Sequence, residues 1–203
     1  MKFNMYNVVQ IVHLIHGIHP KQPGGTVGKL FPYFSPHFPT MSHEYGSAYA
    51  LTARFLNPGR AKGIGEWVTG SDILVGHSNG CAIAHKIQQD QKVHGLVLIN
   101  PALDADIQFH KVDWVHVYYN YGDEAVPLSK FLFAHPWGDM GQRGYTGEDP
   151  RVTNFNCCDK SEIVLPCVDG HSDLFEPGKI EAWSEFMIGN IKNVNAYRFA
   201  TET

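Results

Sequence analysis

The chain lacks both the long apolar run of a membrane-spanning helix and the clustered positive charge of a nucleic-acid binder. Its N-terminal apolar run, residues 8–15, is broken by Gln10 and His13, whereas a spanning helix needs about 18 apolar residues. Lys and Arg are scattered, and the formal net charge is −4. We therefore expect no nucleic-acid partner and no stable membrane insertion. No small-residue cleavage site follows the run, which we interpret as a buried strand of a cytoplasmic protein.

Cysteine is scarce, and its spacing is unfavourable for a metal site. The 4 cysteines are Cys81, Cys157, Cys158 and Cys167, and no pair has C-x-x-C spacing. The adjacent Cys157 and Cys158 suit neither a metal site nor an easy disulfide. We expect free, mostly buried thiols in a reducing compartment.

Length and periodicity predict one α/β domain. The 203 residues, 43% of them hydrophobic, are enough for a single core spanning residues 1–203. Runs rich in Val and Ile alternate with amphipathic segments, a rhythm typical of β-α-β units and a parallel sheet. We expect a three-layer α/β/α sandwich with a mostly parallel sheet of about six strands. The candidate strands are residues 7–16, 71–76, 93–100, 112–121 and 162–168, with a weaker one near 40–45.

The intervening segments predict helices and one long excursion. Helical patterns cover residues 48–56 and 61–68, interrupted at Pro58–Gly59, and residues 81–89 and 177–191. By contrast, residues 135–156 are rich in Gly and polar residues without a clear period, so we expect a loop excursion with little regular structure there. Its Trp137, Met140 and Tyr145 either line the functional pocket or belong to a surface loop far from it.

Ser78 lies in a pattern that favours nucleophilic chemistry. Residues Gly76 to Gly80 read G-x-S-x-G, between a predicted strand and a predicted helix, which is the setting of a nucleophile elbow. A sharp turn there would expose the serine hydroxyl above the sheet, and the two glycines would relieve the crowding. The Asn79 amide, at the start of the following helix, is then a candidate donor to a developing oxyanion.

A serine nucleophile needs a base and an acid that orients the base. Among 12 histidines, His171 is favoured because it follows an apolar run and precedes the last predicted helix, where open α/β sheets place their chemistry. Several acids follow predicted strands and compete for the third position. They are Asp123, Glu124, Asp104 and Asp106.

These landmarks together resemble the α/β-hydrolase family. The G-x-S-x-G elbow, His16-Gly17 after the first strand, Asp123 within the segment 122–127, and Gly170-His171 occur in the order of that family. The resemblance extends over residues 8–191. It implies a minimal α/β-hydrolase fold without a cap domain, because only residues 100–111 separate the strands where larger relatives insert one.

The resemblance also implies the site and its chemistry. It favours Asp123 as the acid, completing a Ser78–His171–Asp123 triad, and the Ile18 amide as the second oxyanion donor, with His19 as the fallback. It implies two-step acyl transfer to water from a small-molecule acyl substrate, most simply a carboxylic ester, without an organic cofactor or metal. The alternatives are a thioesterase, amidase or acyltransferase with the same triad, or a non-catalytic binding protein on the same fold. The oligomeric state is not predicted.

A second histidine pattern raises the question of a metal. His13, His16 and His19 recur at every third residue. On a strand, however, His13 and His16 would point to opposite faces. We therefore expect a packed His13 and a loop His19, with no metal site.

Overall fold

The computed structural model describes residues 9–18, 25–45, 50–124, 138–158 and 165–201, without the side chains of 50–54 and 197–201. Six strands form one sheet in the order β2-β1-β3-β4-β5-β6, and every neighbouring pair is parallel. The strands are β1 (Val12–Ile15), β2 (Thr40–His43), β3 (Ile73–His77), β4 (Val93–Ile99), β5 (Val112–Tyr119) and β6 (Val152–Asn156).

Helices cover both faces of this sheet. They are α1 (Phe31–Phe34), α2 (Ala50–Gly65), α3 (Asn79–Asp90), α4 (Met140–Arg143) and α5 (Ile180–Thr201), with short 3₁₀ turns at Val27–Leu30 and Asp173–Phe175. Helices α1 and α5 pack on one face and share a core with β1, β3, β4 and β5. Helices α2 and α3 pack on the other face. The predicted three-layer sandwich with a parallel sheet of six strands is confirmed.

Side-chain alternation along the central strands explains the two cores. Leu74 faces α2 and α3, whereas its neighbour Val75 faces α5, because successive strand residues point to opposite faces. A strand covered on both sides must be apolar at almost every position. This is why β3, β4 and β5 were recognisable as hydrophobic runs.

The sixth strand is not where the sequence pattern predicted it. The described part of the candidate 162–168, residues 165–168, is not a strand, and its residues 162–164 lie outside the described part. The sixth strand is β6, inside the excursion 135–156, whose described residues also contain α4. The expectation of little regular structure there was wrong. As an edge strand, β6 exposes Thr153 and Asn154 and so lacks a continuous apolar run.

Helix α2 continues through Pro58, where a break was predicted. Proline removes one helical hydrogen bond and usually ends or kinks a helix. Here Ala61 and Ile64, beyond the proline, are buried against α3 and the sheet. Tertiary packing of that face therefore outweighs the local preference.

Two of the four cysteines form a disulfide, contrary to the expectation of free thiols. Cys158 is bonded to Cys167, whereas Cys81 and Cys157 are free and buried. Cys157 is buried in the core, and its neighbour Cys158 lies two residues after the end of β6. Disulfides persist mainly in oxidising environments. The cysteines thus no longer support the expected reducing compartment, and the cytoplasmic location stays a prediction.

The parallel sheet brings four chain segments to one edge. Residues 16–18 follow β1, Ser78 follows β3, Asn100 follows β4 and residues 120–123 follow β5. Because all four strands run in the same direction, their carboxyl ends meet at this edge, where open α/β sheets bind ligands. The β4–β5 connection, residues 100–111, contains no room for a cap domain.

Candidate active site

Ser78 occupies a strained turn between β3 and α3. Its backbone has φ 57° and ψ −125°, a conformation that non-glycine residues rarely adopt and that is typical of functional sites. The turn is anchored on both sides, because the Ser78 amide donates to the Ile99 carbonyl at 3.1 Å and the Ser78 carbonyl accepts from Ala102 at 3.2 Å. The sharp turn expected from the G-x-S-x-G pattern is present.

The two glycines of the elbow lie where no side chain fits. A Cβ at Gly76 would lie 2.7 Å from the Cys81 nitrogen, and one at Gly80 would lie 2.1 Å from the Ile15 carbonyl oxygen. Both clashes are with backbone atoms, which cannot move aside easily. Glycine at these two positions lets β1, β3 and α3 approach closely enough to form the turn.

His171 and Asp123, far apart in the sequence, meet above the sheet. The imidazole Nδ1 donates to both carboxylate oxygens of Asp123, at 2.9 and 3.0 Å. Asp123 is fully buried, whereas the His171 side chain is 21% exposed. The three rival acids, Asp104, Asp106 and Glu124, have exposed side chains. A buried carboxylate on Nδ1 leaves Nε2 as the nitrogen available for proton transfer.

Ser78 and His171 are linked through the residue that precedes the serine. Within the described residues, the Ser78 hydroxyl makes no hydrogen bond to His171. Instead, the ring of His77 packs against that of His171 with centroids 4.9 Å apart, and His77 Nε2 donates to the His171 carbonyl at 2.9 Å. Hydrogen bonds between catalytic groups are often formed only in the substrate complex.

His77 is held neutral in this position. Burial, and then the neighbouring His171, lower the pKa of His77 to about 3. Since a carbonyl can only accept, the proton of the neutral ring resides on Nε2. His77 therefore serves as a constant donor over the physiological pH range.

Sequence reasoning missed His77 and two asparagines at the same edge. Asn100 directly follows β4 and has a positive φ of 42°, and Asn120 follows β5. Both are buried. The Asn100 side-chain amide donates to the carbonyls of Gly170 and His171, and that of Asn120 donates to the Gly170 carbonyl. The available signal was an asparagine at or next to the last position of two predicted buried strands, residues 93–100 and 112–121.

The loop after β1 lies against Ser78, as an oxyanion hole requires. A Cβ at Gly17 would lie 3.1 Å from Ser78 Cβ and 3.5 Å from its Oγ. The next residue, Ile18, is the predicted second donor, and the fallback His19 lies outside the described residues. The predicted first donor, Asn79, begins α3, so its backbone N–H has no partner earlier in the helix.

Aromatic and amide contacts hold the two backbone segments that contain the predicted oxyanion donors. The Tyr45 ring stacks on His16 with centroids 3.8 Å apart, and its hydroxyl donates to the His16 carbonyl. On the other side, the side-chain amides of Asn79 and Asn57 exchange two hydrogen bonds of 2.9 and 3.0 Å. These contacts fix the backbone on either side of Ser78.

The described part of the excursion packs against the core beside Asp123 rather than forming a separate surface loop. Met140 is fully buried in the core, and Tyr145 packs against Phe109 with ring centroids 5.6 Å apart. Trp137 lies outside the described residues. Between Met140 and Tyr145, the Gly141 carbonyl accepts a hydrogen bond from the backbone amide of Asn120 at 3.1 Å. This contact places α4 beside Asp123.

His13 is packed beneath the site rather than exposed. Its Nδ1 lies 2.8 Å from His43 Nε2, and its Nε2 lies 3.3 Å from Asp72 Oδ2. Burial lowers the pKa of His13 and lowers that of His43 to about 4. The expected packed His13 is confirmed.

Comparison with known proteins finds similar structures but no similar sequence family. No protein-family model and no curated protein matches this chain. A protein from Xanthomonas campestris pv. campestris, named as a hydrolase of the α/β superfamily, has a similar structure. The TM-score is 0.50 and the sequence identity is 17%, and the match covers 88% of this chain and 98% of that one. A second protein, from Pectobacterium atrosepticum and named as a YdeN-like hydrolase, has a TM-score of 0.51 and 15% identity. The match covers 89% of this chain and 90% of that one.

None of the helices in the described ranges is both long and apolar enough to cross a bilayer. The parallel six-stranded sheet, the helices on both of its faces and the two structural neighbours agree with one another. This chain has the α/β-hydrolase fold.

Proposed function

We propose that the protein is a serine hydrolase that cleaves a carboxylic ester through an acyl-enzyme. The observation that carries the proposal is the bidentate hydrogen bond from His171 to the buried Asp123, next to a serine in a strained elbow. Structural neighbours assigned as hydrolases support it. A surface histidine near an unrelated acid would not be expected to form a bidentate hydrogen bond to a fully buried carboxylate beside a strained serine.

In the first half-reaction, His171 Nε2 removes the Ser78 hydroxyl proton as Oγ attacks the ester carbonyl. The carbonyl π electrons move to oxygen, and the backbone amides of Asn79 and Ile18 donate to that oxyanion. Asp123 stabilises the imidazolium through Nδ1. As the tetrahedral intermediate collapses, His171 returns the proton to the departing alkoxide, and an alcohol leaves.

In the second half-reaction, water replaces the alcohol. His171 removes a proton from water, which attacks the Ser78 acyl carbon, and the same two amides hold the second oxyanion. The proton then passes to Ser78 Oγ as the carboxylic acid leaves. An ester is the simplest substrate because its leaving group needs less protonation than an amine.

Labelling with a fluorophosphonate probe tests the nucleophile. Wild type should be labelled and should hydrolyse a p-nitrophenyl ester, and Ser78→Ala should do neither. Ser184→Ala provides a matched control, because Ser184 is likewise a buried serine but lies within α5. Folded wild-type protein that neither reacts with the probe nor hydrolyses any ester would refute the proposal and favour a binding protein.

A substrate panel then tests the ester assignment separately from the triad. Ester, thioester and anilide compounds with the same acyl group should give the highest kcat/KM for the ester. If the thioester is preferred by more than tenfold, the nucleophile stands and the ester assignment is wrong.

A further inference from the structure

The carbonyls of Gly170 and His171 are held by side chains from the ends of three adjacent strands. His77, the last residue of β3, and Asn100, which follows β4, both donate to the His171 carbonyl, at 2.9 and 2.7 Å. Asn100 and Asn120 both donate to the Gly170 carbonyl, at 3.2 and 3.3 Å. All three donors are buried. We call His77, Asn100 and Asn120 the strand-end clamp.

We propose that the strand-end clamp positions His171 for proton transfer, with Asn100 and Asn120 as positioning residues that touch neither substrate nor reacting atoms. The inference rests on the proposed function, since it assigns the base of that reaction its support. Apart from the clamp, the His171 ring is hydrogen-bonded to Asp123, and Val168 and Phe175 anchor the chain on either side of His171 in the core.

The geometry of Asn100 is matched to this task. Its amide group has two N–H donors, directed at the carbonyls of Gly170 and His171, and its Oδ1 accepts from Asn120 Nδ2 at 3.1 Å. Its positive φ of 42° is a conformation that asparagine tolerates better than most residues do. A strained backbone with every amide hydrogen engaged is expected where position matters more than stability.

Asn120 couples the base to the acid. Its side chain donates to Gly170, the residue before the base, and its backbone carbonyl accepts from the Asp123 amide at 3.2 Å. The loop that carries His171 and the loop that carries Asp123 are therefore both hydrogen-bonded to the same buried residue, Asn120. A displacement of about 1 Å between catalytic groups can lower a rate about 100-fold.

Asn100→Gly is the sharpest variant, because glycine accepts the positive φ while the amide is lost. We expect kcat to fall about 10- to 100-fold with KM changed less than twofold. In NMR spectra, the His171 Nδ1 proton, which the hydrogen bond to Asp123 shields from exchange, should broaden or disappear. Asn120→Ala should have the same effects in a weaker form.

Asn190→Ala is the matched control, since Asn190 is an α5 residue that donates to the Tyr118 hydroxyl at 3.1 Å and is not hydrogen-bonded to the carbonyls of Gly170 and His171. It should leave kcat, KM and the Nδ1 proton unchanged, whatever stability it loses. If Asn100→Gly does not fold, Asn120→Ala decides by the same criteria. A folded clamp variant with wild-type kcat and a sharp Nδ1 proton would overturn the inference.

The two proposals fail in different ways. If Ser78→Ala is still labelled by the fluorophosphonate and still active, the proposed function is wrong, but the Nδ1 proton of the clamp variants still reports whether His171 is held. If Ser78→Ala is inactive and the clamp variants keep both kcat and the proton signal, only the clamp is wrong.

Discussion

The backbone of Gly141 lies directly against the carboxylate of Asp123. A Cβ at residue 141 would come within 2.7 Å of Asp123 Oδ2 and 3.0 Å of the Asn100 carbonyl carbon. Helix α4 can therefore cover the acid only because this residue has no side chain. The contact contributes to the complete burial of Asp123, and so to the strength of its hydrogen bonds to His171.

Gly141→Ala should weaken the proposed reaction without unfolding the protein. The added methyl group must push the carboxylate or α4 aside, and the carboxylate then loses its alignment with His171 Nδ1. We expect kcat for ester hydrolysis to fall about 10- to 100-fold, measured with a chromogenic ester.

Gly189→Ala is the control for that experiment. Gly189 lies within α5, and a Cβ there would meet nothing within 4 Å. Alanine in a helix is favoured over glycine by about 1 kcal/mol, so this variant should be fully active and at least as stable as wild type. Equal activity of the two variants would contradict the proposed role of the Gly141 contact.

The disulfide should contribute measurably to stability. Cys158 and Cys167 close a loop with a sequence separation of 9, for which chain-entropy estimates give about 2.5 kcal/mol. The double variant Cys158→Ser/Cys167→Ser should lose that amount of unfolding free energy in urea titrations. Added reductant should destabilise wild type and leave the double variant unchanged; a wild type indifferent to reductant would show that the bond contributes nothing.

Stability should fall with acid, in part through His116. This side chain is buried between Trp114 and Phe155, and burial lowers its pKa from 6.5 to about 4. Between these two pH values the unfolded chain binds a proton that the folded chain does not. The unfolding free energy therefore decreases as the pH drops from 6.5 to 4, by about 3 kcal/mol from this residue, and the loss levels off below pH 4.

His116→Phe tests this assignment, because it keeps an aromatic ring among the same neighbours and removes the titrating group. Urea titrations at several pH values should give a shallower fall in unfolding free energy for the variant than for wild type. Some pH dependence should remain, since buried His13 and His43 have lowered pKa values too. Parallel curves for the two proteins would rule out a contribution from His116.

Much of the architecture could be predicted because buried parallel strands leave a strong signal. β3, β4 and β5 are covered on both faces, so nearly every residue is apolar and the runs stand out. The elbow at Ser78 was also predictable, since its two glycines answer a local steric requirement. β6 was missed because an edge strand needs no continuous apolar run.

The sequence by itself determined the parallel architecture, the buried strands β3, β4 and β5, the sharp turn at Ser78 and a short set of candidate acids, all of which depend on neighbouring residues. Only the tertiary structure decided that Asp123 meets His171, that Asn100 and Asn120 hold the loop of that histidine, and that Cys158 pairs with Cys167. The contacts of Asp123, Asn100 and Asn120 join residues of separate β-α-β units, whereas the disulfide closes a loop with a sequence separation of 9. Their geometry is set by packing across the sheet edge, which no local pattern of residues encodes.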